Sequence, residues 1–503
     1  MSGDCGERIQ RYFHNLKRPK NIQETDRRFK MPARSLSVVT RFRFLAMMLA
    51  FVATVFCLQP HCIGQEPEPP GGDAPTGGIQ INAEGVLSTR AVVGNLDVLN
   101  RQRLAAATAS LNKDLQQPSD MRKVSLTRLE AEVKKLVDAG QPIPADMKYL
   151  AGMNRITHVF YYPETKDIVL AGPAEGFFLS ADNRVIGTKT GAATLNLQDL
   201  IVALRAFSPD GKKTSMISVS IDPTREGILR MAEAYAHVQG RFRPGDERAV
   251  VDLFREANGL QVITIQGVSP KTNFARVLVE ADYHMKLIGI GLEKPPVKII
   301  SFIEKADPAA VARNSLQRWY FQPNYDCVSL NEDKTAMQLV GSGVKLVGED
   351  EQVDAQGNRK GTGGMNAASK AFCGSFTKLY DQLAQRSPLW GELRNLVDLS
   401  ITAAYIQKYD LYGKAGWKME TFGDEGKVPV EIMNTPTHVP SVVNAVWKGR
   451  LFMAPTAGGV NLQPRYALNS DVAKTDTEGK IDAVKAENEA KLAGLADGQW
   501  WWD

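Results

Sequence analysis

The spacing of apolar and polar residues changes period several times along the chain, and each change marks an expected element. Leu99 to Leu115 reads as a helix. Ser125 is placed to cap a second, amphipathic one whose Leu126, Leu129, Val133, Leu136 and Val137 share a face, with Gly140 and Pro142 as its stop. From Ile156 the period becomes two. "THVFYYPETKDIVLAG" is a hairpin pattern around Pro163–Asp167, and "EGFFLSADNRVIG" repeats it around Ala181–Asn183, so an antiparallel meander is expected, covered by a helix from Leu197 to Phe207.

Three β-branched runs follow, "SMISVSI" (215–221), "LQVITIQGV" (260–268) and "VKIISFI" (297–303). Helical stretches at 224–238, 246–258 and 272–288 separate them, and Gly259 marks one helix end. Strand–helix alternation of this kind predicts layered packing, with parallel or antiparallel order left open. Asp307–Pro308 carries a helix-start signal for a segment running to Trp319, and a hairpin is expected from Cys327. Beyond the polar loop 351–364 two long helices are expected near 365–385 and 388–408, then irregular β segments, and finally a charged helical tail ending in "GQWWWD". The fold class expected is α+β or α/β, multi-layered, with mixed sheets covered by helices and two or three domains. The segments drawn are 79–210 (helical plus meander), 211–305 (α/β), 306–470 (hairpin plus helical) and a tail at 471–503.

The N-terminal region has another character. Phe44 to Leu58 is an uncharged apolar run of fifteen residues preceded by Arg34, Arg41 and Arg43. It matches a signal-peptide core and falls short of the roughly 20 residues that a spanning helix needs. A leader over 1–64 is therefore expected, cut before Gln65, with synthesis starting at Met1 or Met31; an uncleaved N-terminal anchor is the alternative. Residues 65–78, "QEPEPPGGDAPTGG", form a Pro/Gly linker with nothing large and apolar to bury.

Composition changes once the leader is set aside. The whole chain has 61 Lys/Arg and 56 Asp/Glu, but residues 1–64 hold 11 and 4 of these, leaving 50 basic and 52 acidic residues. The mature chain is thus near neutral, with no basic run, which gives no electrostatic case for a nucleic-acid partner. A membrane partner is expected only if the leader stays uncleaved. Two cysteines remain, Cys327 and Cys373. In an oxidising compartment they can pair, a closure worth about 4 kcal/mol, or remain two buried thiols, and their spacing leaves both open.

Candidate chemistry is sparse. "ADYHMK" places Asp282, Tyr283, His284 and Lys286 close in sequence. On a helix, however, Phe274, Val277, Leu278, Ala281, Met285 and Ile288 make the apolar stripe, Asp282 and Lys286 take one flank, and Arg276, Glu280 and His284 take the other. Asp282 and His284 then point apart, and a salt-bridged helix flank is the simplest reading. Glu280 and His284, joined by a carboxylate from another segment, are the candidate catalytic residues if there is catalysis. The four mature histidines, His158, His237, His284 and His438, lack metal-ligand spacing. No metal or cofactor is expected. "FCGSFT" lies in an expected helix and "GSGVKLVG" lacks the ending of a phosphate loop. Trp500, Trp501 and Trp502 either dock on a protein or glycan partner or pack on their own domain.

Four longer stretches carry a resemblance: "DIVLAGPAEGFFLSADNRVIGTKTGAATLNLQDLIVALRAF", "SVSIDPTREGILRM", "FARVLVEADYHMKLIGIGLE" and "SPLWGELRNLVDLSITAAYI". Over about Ile79 to Ala467 the chain resembles large exported proteins of planctomycete bacteria that contain a domain of unknown function. The resemblance implies compartment and class, and brings no activity, cofactor or catalytic residue. Two functions follow as expectations: an extracytoplasmic structural or binding protein, or an extracytoplasmic hydrolase with an unrecognised site.

Overall fold

Two seven-stranded sheets carry the fold. They belong to a computed structural model that describes residues 76–91, 96–211, 214–238, 241, 243–308, 315–430, 432–453 and 456–503. The expected leader, its apolar run Phe44–Leu58 and most of the linker lie outside the described residues. No helix among the described residues is long and apolar enough to cross a membrane.

The first sheet has the order β14 (Arg359–Gly361), β13 (Val344–Val353), β10 (Ser315–Pro323), β18 (Thr456–Leu462), β8 (Ile217–Asp222), β9 (Leu260–Gln266) and β15 (His438–Pro440). Only β10 and β18 pair in parallel. The second sheet runs β19 (Lys474–Thr475), β11 (Val328–Leu330), β12 (Ala336–Leu339), β4 (His158–Tyr162), β5 (Asp167–Ala174), β3 (Ser119–Ser125) and β20 (Trp501–Trp502). Here β11 and β19 are the parallel pair. Three hairpins complete the strands: β1 (Thr76–Ile81) with β2 (Leu87–Ala91), β6 (Phe177–Leu179) with β7 (Val185–Gly187), and β16 (Ala445–Lys448) with β17 (Arg450–Met453). The architecture is therefore α+β with mixed sheets. The described residues from Thr76 onward form one compact unit; of the segments drawn from the sequence, the first sheet takes strands from 211–305 and 306–470, and the second from 79–210, 306–470 and 471–503.

The principal helices are α1 (Leu96–Ser110), α2 (Leu126–Asp138), α3 (Leu197–Ala206), α4 (Arg225–Val238), α5 (Glu247–Asn258), α6 (Asn273–Gly289), α7 (Ala367–Lys378), α8 (Pro388–Lys408) and α9 (Lys480–Ala493). Local chemistry explains their ends. Ser125 Oγ accepts the Arg128 amide at 3.2 Å and starts α2, while Gly259, at φ +70°, closes α5. α6 packs on β8, β10 and β18 and on α8. α8 packs on α3 and reaches the second sheet's segments through Arg155–Asp398 at 3.0 Å and Tyr405 Oη to Lys334 O at 3.0 Å. One continuous core thus links both sheets through α6 and α8, and a satellite core of Phe160, Tyr162, Val169, Ile481, Leu492 and Trp502 lies under α9.

Several expectations need correction. The run 297–303 is not a strand: it is irregular and ends in the short helix Phe302–Lys305, with Val297, Ile299, Phe302 and Ile303 all buried. Residues 315–323 are strand β10, not the end of a helix, because Gln317, Trp319 and Phe321 face the core while Arg318, Tyr320 and Gln322 face outward. The two hairpins expected to make one meander separate: β4 and β5 join the second sheet, and β6–β7 stands alone. Of the two alternatives left open for Cys327 and Cys373, the structure has two free, buried thiols, each pushed up to about 12 by burial. The tryptophan tail is folded in: Trp501 pairs with Val124 and Trp502 with Lys123, Trp500 and Trp502 are buried, and Arg122 lies 4.8 Å from the Trp501 ring centroid. Of the two alternatives for these rings, packing on their own domain holds for Trp500 and Trp502, while Trp501 is half-exposed.

Candidate functional site

Among the described residues α6 carries more buried ionisable side chains than any other helix: Glu280, Asp282, His284 and Lys286. Thr272 Oγ1 caps it by accepting the Ala275 amide at 3.2 Å, and the apolar stripe from Phe274 to Ile288 sets its orientation on the first sheet. The salt-bridged flanks expected are present, but Glu280, Asp282, His284 and Lys286 are buried, which makes α6 a central helix. A charge moved from water into such surroundings costs several kcal/mol unless it is paired, so every polar group here needs a partner.

On one side Asp282 and Lys286, both 0% exposed, pair with each other at 3.0 Å, and Lys286 Nζ also donates to the Ile221 carbonyl at 2.8 Å. Burial pushes the Asp282 carboxyl up to about 6 and draws Lys286 down, each against the pull of its partner. The pair fits because Gly458 on β18 has no side chain: a Cβ there would stand 3.0 Å from Lys286 Cε and 2.2 Å from the Trp319 carbonyl oxygen. Further out, Asp222 at the end of β8 accepts from Arg318 at 3.0 Å and Arg359 at 2.9 Å. Burial opposes its charge, yet the two guanidinium groups hold its carboxyl below the usual range.

On the other side Arg184, from the turn between β6 and β7, donates to Glu280 of α6 and to Glu392 of α8. Burial works against its charge, and the two carboxylates more than offset this, keeping it firmly protonated. Glu392 is pushed up to about 7 by burial, with Arg184 pulling it down and Glu280 pushing it further up. Asp199, in the first turn of α3, also rises to about 7 through burial, although Asn273 Nδ2 donates to its Oδ2 at 3.0 Å; its Oδ1 has no partner among the described residues. His284 Nδ1 meets Glu293 Oε2 at 2.5 Å. Burial disfavours the imidazolium, but Glu293, with help from Glu280, outweighs it and raises the histidine above its ordinary pKa. The β1–β2 hairpin lies over this side, where Arg276 Nη2 donates to the Ile79 carbonyl at 2.8 Å and a Cβ on Gly78 would sit 3.5 Å from Glu280 Oε1.

Glu280 and His284 therefore lie one turn apart, each 3% exposed, and each engages a different partner. Asp282 and His284 serve opposite sides of the helix. Sequence reasoning missed Arg184, Glu392, Asp199 and Glu293. A signal existed for two of them: in "NLQDLIVAL" and "PLWGELRNLV" a single carboxylate interrupts an otherwise apolar helical run. Chemically, the arrangement is an arginine held between Glu280 and Glu392, the second of which is raised to about 7, with Asp199, raised likewise, near Glu392.

The remaining histidines are dispersed, with His158 on β4, His237 on α4 and His438 on β15. Among the described residues no group of three or more His, Cys, Asp or Glu side chains could hold a metal ion. Ser375 of "FCGSFT" lies in α7 and its Oγ accepts the Ile300 amide at 3.0 Å, while "GSGVKLVG" makes the turn into β13, with Gly341 and Gly343 at φ +71° and +72°.

Residues 219–302, which hold β8 to α6 and therefore Glu280, His284 and Asp282, match a family model described as a protein of unknown function (DUF1598). No curated protein and no solved structure matches the chain.

Proposed function

We propose that the chain is an extracytoplasmic structural or binding protein. The observation that supports this reading is the closure of the α6 charges on one another: Glu280 is taken by Arg184, His284 by Glu293 and Asp282 by Lys286, all nearly or fully buried. A general base needs to reach a substrate proton within about 2.6–3.2 Å, and these groups reach each other instead. Export is supported by the leader pattern at 1–64, and by the resemblance to exported proteins of planctomycete bacteria.

A second reading, an extracytoplasmic hydrolase, is favoured by one observation. Glu392 and Asp199, both lifted to about 7 by burial, stand in the Arg184 cluster as groups able to trade protons near neutral pH. Profiling the full chain against esterase, peptidase and glycosidase substrates separates the two. The binding reading expects no turnover; turnover that disappears in His284→Ala or Glu392→Gln overturns it. N-terminal sequencing of the native protein tests the location, with a start near Gln65 expected and an intact Phe44–Leu58 segment in a membrane fraction contradicting cleavage.

A further inference from the structure

The two faces of the first sheet differ in chemistry. The inner one packs Val219, Ile221, Trp319 and Phe321 against the helices, and all four are buried. The outer one is half-exposed and mostly polar, with Leu260 and Val262 of β9 as exposed apolar exceptions, and the register fixes which residues stand side by side. Tyr320 pairs with Val347 on one side and Gly459 on the other; Gly459 pairs with Ser220, and Ser220 with Thr264. In the neighbouring row Gln322 pairs with Lys345, and Asn461 pairs with Ser218.

Tyrosines gather at this end of the sheet. Tyr325 lies two residues past the end of β10 with Lys345 Nζ 5.0 Å from its ring centroid, and Tyr466, 44% exposed, meets Tyr325 edge-on at 4.8 Å. Tyr320 stands on the same outward row of β10 as Gln322, whose register partner is Lys345. Among the described residues no hydrogen bond within the protein engages the side chains of Ser218, Ser220, Tyr320, Gln322 or Tyr466. A face rich in unspent hydroxyl and amide groups, interleaved with accessible aromatic rings, is unusual for a sheet that merely meets water, because exposed rings are costly without an occupant.

The charges on the face decide what kind of occupant it suits. Lys345, Arg318 and Arg359 are matched by Asp222, Glu349 and Glu351. Arg318 and Arg359 both engage Asp222 and Glu351 at 2.9–3.5 Å, and Glu349 accepts the Gly363 amide at 2.8 Å. No net field remains for a nucleic acid or another polyanion, and the strand edges that an extended peptide would use lie elsewhere. The complement is a neutral molecule with many hydroxyls and flat C–H surfaces.

We infer that this face binds a neutral polysaccharide, with Tyr320, Tyr325 and Tyr466 packing on sugar rings and Gln322, Asn461 and Ser218 exchanging hydrogen bonds with their hydroxyls. The inference rests on the reading of the chain as a binding protein and is independent of its location.

Native affinity electrophoresis of the full chain in gels containing laminarin, soluble starch, hydroxyethylcellulose or galactomannan tests it, with dextran sulfate as the charged control. The expected result is retardation by at least one of the neutral polymers, unchanged by 0.5 M salt and weakened tenfold or more in Tyr466→Ala and Tyr320→Ala. Gln322→Ala, at a half-exposed side chain, should weaken it while leaving the melting temperature unchanged, which separates lost contacts from lost folding. No retardation by any neutral polymer overturns the inference, as does retardation by dextran sulfate alone or retardation that survives both tyrosine variants. Failure here leaves the turnover profile as the separate judge of the binding-protein reading.

Discussion

Replacing Lys286 by methionine keeps the length of a side chain that is fully buried and removes its charge. Asp282 then loses its 3.0 Å partner, and since its Oδ1 has no partner among the described residues, the carboxylate is left without a donor in a site from which water is excluded. Breaking a buried pair in this way costs about 3–5 kcal/mol, a large fraction of the roughly 5–15 kcal/mol that holds a domain folded. The Ile221 carbonyl loses a donor too, adding on the order of 1 kcal/mol. The loss depends on pH. With Lys286 present Asp282 already protonates at about 6, and without it the value rises further, so between the ordinary carboxylate range and this raised value the folded state binds a proton that the unfolded state does not. Stability then falls as pH rises through that window, by about 1.4 kcal/mol for each unit of separation. Urea denaturation of Lys286→Met should therefore show a larger loss at pH 8 than at pH 5, and Asp282→Leu/Lys286→Met should recover most of it. A loss below about 1 kcal/mol at pH 8, an equal loss at both pH values, or a double variant worse than the single one would refute the reasoning.

Two further predictions follow from buried groups. Asp199 is lifted to about 7, so it too stabilises the fold while protonated and loses that contribution as pH rises toward 7; Asp199→Asn should flatten this part of the pH profile and raise the melting temperature at pH 8 but not at pH 4. Cys327 and Cys373 should both react with a thiol reagent in denaturant and resist it in the native state, and a count below two in denatured, unreduced protein would contradict the free thiols.

Much of the fold was legible where local chemistry decides the outcome. The Ser125 cap, the Pro163–Asp167 turn between β4 and β5 and the apolar stripe of α6 all follow from nearest neighbours along the chain. The misreadings have a common physical origin. Residues 297–303 carry β-branched side chains because they fill a core gap, and periodicity cannot tell this from a strand. In β10 the alternation of Gln317, Trp319 and Phe321 with Arg318, Tyr320 and Gln322 was present, but the helix-start signal at Asp307–Pro308 obscured it. The site was half legible: helical geometry separates Asp282 from His284, whereas full burial of α6 depends on Arg184 and Glu392, which lie 96 and 112 residues from Glu280 and come together only through tertiary packing.

The central claim, that the polar groups of α6 are spent on internal partners, is tested most directly by titrating the His284 ring by NMR in the full chain. With Glu293 holding Nδ1, the ring should titrate above the ordinary histidine value of about 6.5, and in Glu293→Gln, where burial is left to dominate, it should fall below that value. A ring that titrates at or below about 6.5 in the unaltered protein and does not respond to Glu293→Gln would contradict the account.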